Sequence, residues 1–407
     1  MSMTTIKNKS KKQYKSHLAS RYKTKYNTKK NNKKHNNTNN NPNTNIIHIL
    51  TLVKNYYNSL RNTIHVNAYE RAIYQISKWE KPITSGKELS HLEGIGKGMI
   101  EKIDTIIKTG TLPIVSEKYI DTQTSQHTKT KASLDTKHIL GFGEKLANEL
   151  KNKYNARTIN DIRKLVADNK IKLTHTQTIG LKYYEDLNTM IPRVEIKEIG
   201  DKIKQILTDN TNTSNTSNNK QYNINVFLAG SYPSGLKAES KDIDILIVGD
   251  PKCISLKSMV EDISRVIMLE TLSLGSTKFL GIIKNKNSDT TTAKWRHLDM
   301  RFVNADSFPY AWLYYSSGKI FNKMIREKLK KKGYKLNEWG LYHSNSNKNK
   351  KVDLGEDISK YINTSLDTKT KCDARLKDED LIEYKDVIEK KIFEKAGMEY
   401  KNVKERY

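Results

Sequence analysis

The sequence predicts an α+β fold: a helical amino-terminal part, then a mixed β-sheet flanked by helical segments. Three observations carry that prediction. Apolar residues recur every three or four positions in stretches from Ile46 to Pro192, which is the helical period. Between 222 and 304 the runs YNINVFLAG, DIDILIV, KFLGIIK and HLDMRFV are short, β-rich and separated by polar segments. After them FPYAWLYYSSGKIFNKMIREKLKKKGY reads as helix again.

The chain has 407 residues, enough for two or three compact units. Its formal net charge of +28 and hydrophobic fraction of 36% imply a strongly basic surface. Such a surface favours a polyanionic partner, nucleic acid before membrane. Lys far outnumbers Arg and Asn is abundant, a bias that an A/T-rich coding sequence also produces, so charge alone does not choose. Cys253 and Cys372 stand far apart with no CxxC or Cys/His cluster. Neither a zinc site nor a disulfide framework is expected, and a reducing compartment fits. No apolar run approaches the roughly 18 residues that span a bilayer, and the amino terminus lacks the apolar core of a secretory signal. The expectation is a soluble, intracellular monomer that does not engage a membrane.

In chain order, residues 1–44 are Lys/Asn-rich and read as a disordered basic tail, whether nuclear address, DNA arm or compositional drift. Residues 45–114 form a first helical domain and 115–134 a Ser/Thr/Gln/Lys linker. Residues 135–192 form a second, similar helical piece. The sheet domain occupies 193–308, with a polar loop at 209–222. A helical subdomain follows at 309–364, and 365–407 reads as a charged tail with a peripheral helix.

Each helical piece carries a glycine turn directly before an amphipathic helix: LEGIGKG (92–98) and LGFGEK (140–145). Glycines at such a turn let a ligand approach the backbone, and the helix N-terminus behind them offers free N–H groups to an anion. One such turn alone is an ordinary helix–helix corner. Two in one basic chain point to helix-hairpin-helix elements that hold the DNA backbone without reading bases. Gly94, Gly96, Lys97, Gly141 and Gly143 are the candidate contacts.

Side chains alternate along a strand, so Asp242 and Asp244 share one face while Ile243 and Ile245 point to the other. HLDMRFV adds Asp299, with Arg301 on its face. Three carboxylates on neighbouring strands stay ionised together only with cations between them. Mg²⁺ is the natural occupant, in two ions with Mn²⁺ as substitute, because it is oxygen-loving and shares its coordination with substrate phosphates. Gly230 and Ser231, at the end of NVFLAG, fit a turn that holds a phosphate. A lone DxD is weak and reads more readily as solvated strand-end acids. Gly-Ser, the gap, DID and a later acid on another strand together indicate a nucleotidyltransferase palm.

Over residues 46–362 the chain resembles the beta-type family X DNA polymerases. The resemblance is carried by NAY (67–69), LEGIGKGMIEKI, LTHTQTIGLKYYEDLNTMIPR (173–193), GSY…DIDILIV, STKFLGI (276–282), HLDMR, IFNKMIR (320–326) and YKLNEWGLY (334–342). It implies a lyase-type domain with a helix-hairpin-helix, then a polymerase domain with palm, thumb and fingers-like parts. By the resemblance Asp242, Asp244 and Asp299 bind the metals, and Asp299 is also the base toward the primer 3′-hydroxyl. Ser231 touches the incoming triphosphate, and Tyr314 and Tyr315 line its sugar pocket. Asn322 meets the minor-groove edge of the nucleotide, and Arg301, Lys323 and Arg326 lie toward DNA. A monovalent cation at the hairpins is implied as well.

The resemblance also has departures. Ser234 stands where the family carries an Arg after its Gly-Ser-aromatic motif, the loop to the aspartates is one residue longer, and Met190 replaces another Arg. Both arginines would neutralise triphosphate charge, by charge-assisted contacts of roughly 1.5–3 kcal/mol each. Lys237 and Lys241 are the candidate replacements, without the bidentate fork of Arg. The family's Phe-Thr-Gly-Ser turn reads YSSG here. Lys102 matches the family's Schiff-base lysine, which removes a 5′-deoxyribose phosphate. Gly98 stands where a phosphate-binding Lys is frequent, and Lys97, His65 and Tyr69 remain to form that pocket. The function implied is a template-directed, gap-filling repair polymerase taking dNTP and gapped or nicked duplex DNA, with lyase activity. The alternatives are template-independent nucleotidyl transfer and a DNA-binding scaffold weakened in catalysis. The expected location is the nucleus or another DNA-containing compartment, a viral replication site included.

Overall fold

The computed structural model describes residues 41–115, 138–208, 222–284, 293–344, 350–355, 358–360 and 376–407. Apart from their end residues, the expected basic tail, linker and polar loop lie outside these ranges. The chain forms two compact units divided at residues 124/125.

In the first unit, helices α1 (Thr44–Ser59), α2 (Thr63–Ser77) and α3 (Lys97–Thr109) enclose one core. Leu50, Val53, Ala72, Ile76 and Ile103 are its buried centre, each at the three- or four-residue spacing that the sequence shows. Asn62 caps α2 by accepting from the His65 amide. Asn43 ties the start of the domain to its middle. Its side chain donates to the Trp79 and Lys81 carbonyls and accepts from the Ile83 amide.

In the second unit, α4 (Glu144–Asn152), α5 (Ile159–Ala167) and α6 (His175–Lys182) come first. Thr158 and Thr174 open α5 and α6 with capping boxes, which is why these short helices start where they do. Helix α7 (Arg193–Thr208) leads into a five-stranded sheet of β1 (Asn225–Leu228), β2 (Asp242–Val248), β3 (Met268–Leu274), β4 (Lys278–Lys284) and β5 (Arg296–Val303). Its order is β1-β2-β5-β4-β3, and only β2 and β5 run parallel. Helix α8 (Leu256–Val266) and the β3–β4 hairpin form the crossover that a parallel pair requires. Ile243, Ile245 and Ile247 of β2 and Leu298, Met300 and Phe302 of β5 face α7 and α8 in one core. On the opposite face Leu246 and Val248 are buried against a second core, so only the acidic end of β2 is left open.

That second core is made by α9 (Phe308–Tyr315), α10 (Lys319–Lys331), the hairpin β6 (Tyr334–Asn337)–β7 (Gly340–His343) and α11 (Asp378–Ala396). Helix α11 corrects the expectation of a charged tail with a peripheral helix. Leu381, Tyr384, Ile388, Ile392 and Phe393 lie buried, a spacing that the density of charge around them conceals in the sequence. Beyond it, Arg406 and Glu389 form an ion pair in which both side chains have 0% exposure.

A second correction concerns thiols. Cys253 is disulfide-bonded; the chain's other cysteine, Cys372, lies outside the described residues. Among the described residues no helix is long and apolar enough to cross a membrane.

Candidate active site

The parallel register of β2 and β5 sets Asp244 directly beside Asp299 and Asp242 beside His297. Burial first, then the charges of Asp242 and Asp299, push the Asp244 carboxyl up to about 7. Asp299 is raised too, chiefly by burial, with Arg301 and Lys278 pulling the other way. Arg301, a candidate DNA contact in the sequence, is hydrogen-bonded to Asp299. Its Nη2 donates to Asp299 Oδ2 at 3.1 Å, and its guanidinium lies 5.3 Å from the Tyr315 ring centre. Alternation explains this, since residues 299 and 301 share one face of β5.

Gly230 closes the site from the side of β1. Its φ is +62°, and a Cβ there would lie 1.9 Å from Asp244 Oδ2. The turn after β1 therefore approaches the carboxylate as only glycine allows. Gly230→Ala is expected to destabilise the unit by about 2–4 kcal/mol, from overpacking plus left-handed strain. Thermal unfolding checks this; a wild-type melting temperature would disprove the close packing. Ser231 Oγ hydrogen-bonds Ser240 Oγ at 2.7 Å across the loop to β2. The Tyr407 hydroxyl donates to the Gly230 carbonyl at 2.6 Å. Arg193 stacks its guanidinium 3.8 Å from the Tyr232 ring centre and donates to the Tyr232 carbonyl at 2.6 Å. Lys237 is exposed beyond this turn.

On the far side of the sheet's open end, Tyr314 and Tyr315 meet edge-on at 4.9 Å. Burial pushes the Tyr315 hydroxyl up to about 12. Asn322 uses its amide to hold the turn between α9 and α10, donating to the carbonyls of Tyr314 and Ser317. Arg326 donates to the Leu336 carbonyl and lies 5.3 Å from the Tyr314 ring centre. Lys323 is half-buried on the same helix. In YSSG, the Ser316 and Ser317 hydroxyls are buried without a hydrogen-bond partner.

Both glycine turns adopt the geometry that the sequence predicts. Gly94 and Gly141 take φ values of +87° and +79°. Gly96 and Gly143 are the N-caps of α3 and α4, with no side-chain cap on the first amides, and nothing lies within 4 Å of a Cβ at either. Free amides facing open space are what an anion needs. Around the second turn a cavity of ≈ 560 Å³ joins Gly141 and Gly143 to Lys241, Asp242 and His297. Lys241, expected on the nucleotide, thus lies on the hairpin side of the acids. In the first unit Lys97 opens α3 and is exposed. Lys102 is half-buried and donates to the Gly98 carbonyl at 3.0 Å. Tyr57 stacks on His65 at 4.3 Å and on Tyr69 at 5.7 Å.

Four family models match in succession. Residues 41–112 match a helix-hairpin-helix domain, 137–188 the fingers domain of DNA polymerase lambda, 190–305 the DNA polymerase beta palm and 311–407 the DNA polymerase beta thumb. The chain belongs to the family X DNA polymerases. Among its relatives, DNA polymerase lambda of Arabidopsis thaliana is 27% identical over 74% of this chain and 55% of its own length. DNA polymerase lambda of Rattus norvegicus is 26% identical over 73% of this chain and 48% of its own. DNA nucleotidylexotransferase of Xenopus laevis is 24% identical over 72% and 61%. The chain spans about half the length of the polymerase lambda relatives it matches.

Family X polymerases generally use divalent metals. In this member no group of three or more His, Cys, Asp or Glu side chains among the described residues is gathered as a metal site. Like charges repel, and Arg301 draws Asp299 to itself. The donors nevertheless fit a hard cation. Asp299 Oδ1 is buried without a hydrogen-bond partner, because Arg301 Nε stands 3.1 Å away but misaligned. Mg²⁺ is usually held by one or two carboxylates plus substrate phosphates, so an incomplete set suits it.

Several residues around this site escaped the sequence reading. His297 sits beside Asp242, its imidazole held below the usual range by burial. Arg296 forms a buried fork on Glu195 at 2.7 Å and reaches the Thr189 carbonyl, fixing the segment before α7. Arg193 lay within the quoted IPR motif, while Tyr407 carried no signal at all.

Proposed function

We propose that this chain is a template-directed DNA polymerase that fills gaps during repair, taking a dNTP and the 3′-hydroxyl of gapped or nicked duplex DNA. The observation that supports it best is the β2–β5 register, which brings Asp244 and Asp299 together with the Gly230 turn packed against them. Mg²⁺ or Mn²⁺ held by Asp242, Asp244 and Asp299 would neutralise the triphosphate and stabilise the leaving pyrophosphate. Asp299 accepts the proton of the primer 3′-hydroxyl. The 3′-oxygen bonds to the α-phosphorus as the bond to the pyrophosphate oxygen breaks. Gly230 and Ser231 bind the triphosphate, with Lys237 and Arg193 supplying charge where the family's arginines are missing. Tyr314, Tyr315 and Asn322 bound the sugar and base, and Lys323 and Arg326 face the template. Gly141 and Gly143 hold the DNA backbone, and Lys241 extends that contact toward Asp242. Gly94, Gly96 and Lys97 hold DNA through the first unit, where a monovalent cation would assist.

The test is incorporation of one labelled dNTP into a one-nucleotide gapped duplex with a 5′-phosphate, in Mg²⁺ and then Mn²⁺. Incorporation that follows the template base supports the proposal. Incorporation indifferent to the template would favour the transferase activity named for the Xenopus relative. Tight binding without incorporation would leave a DNA-binding scaffold. A lyase role for Lys102 is a secondary reading, tested by borohydride trapping of its Schiff base on a 5′-deoxyribose-phosphate end.

A further inference from the structure

The segment Val403–Tyr407 touches both sides of the nucleotide site. On the palm side the Tyr407 hydroxyl donates to the Gly230 carbonyl at 2.6 Å. Gly230 is the residue whose bare Cα admits Asp244, so its peptide cannot rotate without moving the carboxylate or the Ser231 that follows. On the sugar side the Arg406 carbonyl accepts from the Gly318 amide at 3.1 Å. A Cβ on Gly318 would lie 2.7 Å from that carbonyl oxygen, so the glycine of YSSG is placed where this contact needs it. Gly318 in turn accepts from the Asn322 amide at the start of α10.

The segment is itself anchored. Asn402 and Glu405 form a capping box around its turn. The Arg406 guanidinium donates to both Glu389 oxygens and to the Lys401 carbonyl. One short turn, rigidly rooted on α11, therefore sets the spacing between the triphosphate turn and the tyrosine turn.

We infer that Tyr407 is a positioning residue for the incoming nucleotide, its hydroxyl holding the Gly230–Ser231 turn in register with the Ser317–Gly318 turn. The inference rests on the polymerase reading. A fixed turn presents its amides and the Ser231 hydroxyl to the triphosphate without reordering at binding, which favours affinity over the chemical step. Losing the tether loosens the turn and leaves the Gly230 carbonyl without this donor.

The experiment compares wild type, Tyr407→Phe and Tyr400→Phe, each as the full chain, on the gapped duplex. Tyr400 also donates to Glu389, at 3.4 Å, so its variant controls for a lost hydroxyl in the same core. The expected result is a KM for dNTP raised roughly three- to tenfold in Tyr407→Phe, with kcat and melting temperature little changed. Tyr400→Phe should keep the wild-type KM. Equal KM in wild type and Tyr407→Phe would overturn the inference while leaving the polymerase reading intact. So would a KM raised equally in both variants, which marks a general core effect. An inactive wild type removes the polymerase reading and this inference with it.

Discussion

Asp244→Asn is expected to abolish nucleotide incorporation and, in metal-free buffer near pH 7, to make the second unit more resistant to heat. The two effects share one cause. Burial and the charges of Asp242 and Asp299 raise the Asp244 carboxyl from 3.8 to about 7. A carboxyl raised on folding binds its proton more tightly in the folded state, so stability falls as pH climbs from about 4 to about 7. The ceiling is about 4 kcal/mol at 1.4 kcal/mol per pH unit. Relaxation and water penetration around the carboxyl lower it to about 2 kcal/mol, or roughly 4–8 °C in a unit this large. Asparagine keeps the shape and removes the charge. The melting difference should shrink toward pH 4, where the wild-type carboxyl is protonated as well. Activity should drop at least about a hundredfold, because an amide is a poor ligand for a hard cation. A variant that melts lower than wild type at pH 7, or that still extends a primer, would contradict the charge-crowded site.

Glu389→Gln should cost about 3–5 kcal/mol of stability. Arg406 is fully buried and its charge is balanced by Glu389 alone among carboxylates bonded to it. Glutamine fills the same volume, so the loss is that of the counter-charge and not of packing. Thermal or urea unfolding measures it, with a fall of about 10 °C expected. Replacing both partners, Glu389→Met with Arg406→Met, should recover most of the loss, since neither charge then needs solvation. A double variant as unstable as the single would show that the pair contributes shape and not charge balance.

Much of this molecule was legible in one dimension because its signals are local. Period-two alternation put Asp242 and Asp244 on one face of β2 and their isoleucines in the core. Glycine turns ahead of amphipathic helices marked both hairpins, since φ near +80° excludes almost every other residue. Helix α11 was misjudged because its buried stripe is diluted by Lys, Glu and Asp on the outer faces. Alternation also put Arg301 on the face of Asp299, while the hydrogen bond between them formed only on folding.

The sequence by itself determined the α+β class, the two hairpins and the side of each strand on which the acids lie. These follow from backbone geometry over a few residues. Parallel pairing of β2 with β5, the raised Asp244 carboxyl, the Arg406–Glu389 pair and the reach of Tyr407 to Gly230 arose only on folding. Arg406 and Glu389 lie 17 positions apart and Tyr407 and Gly230 lie 177 apart, and the strength of these features comes from burial, which no short stretch of chain possesses.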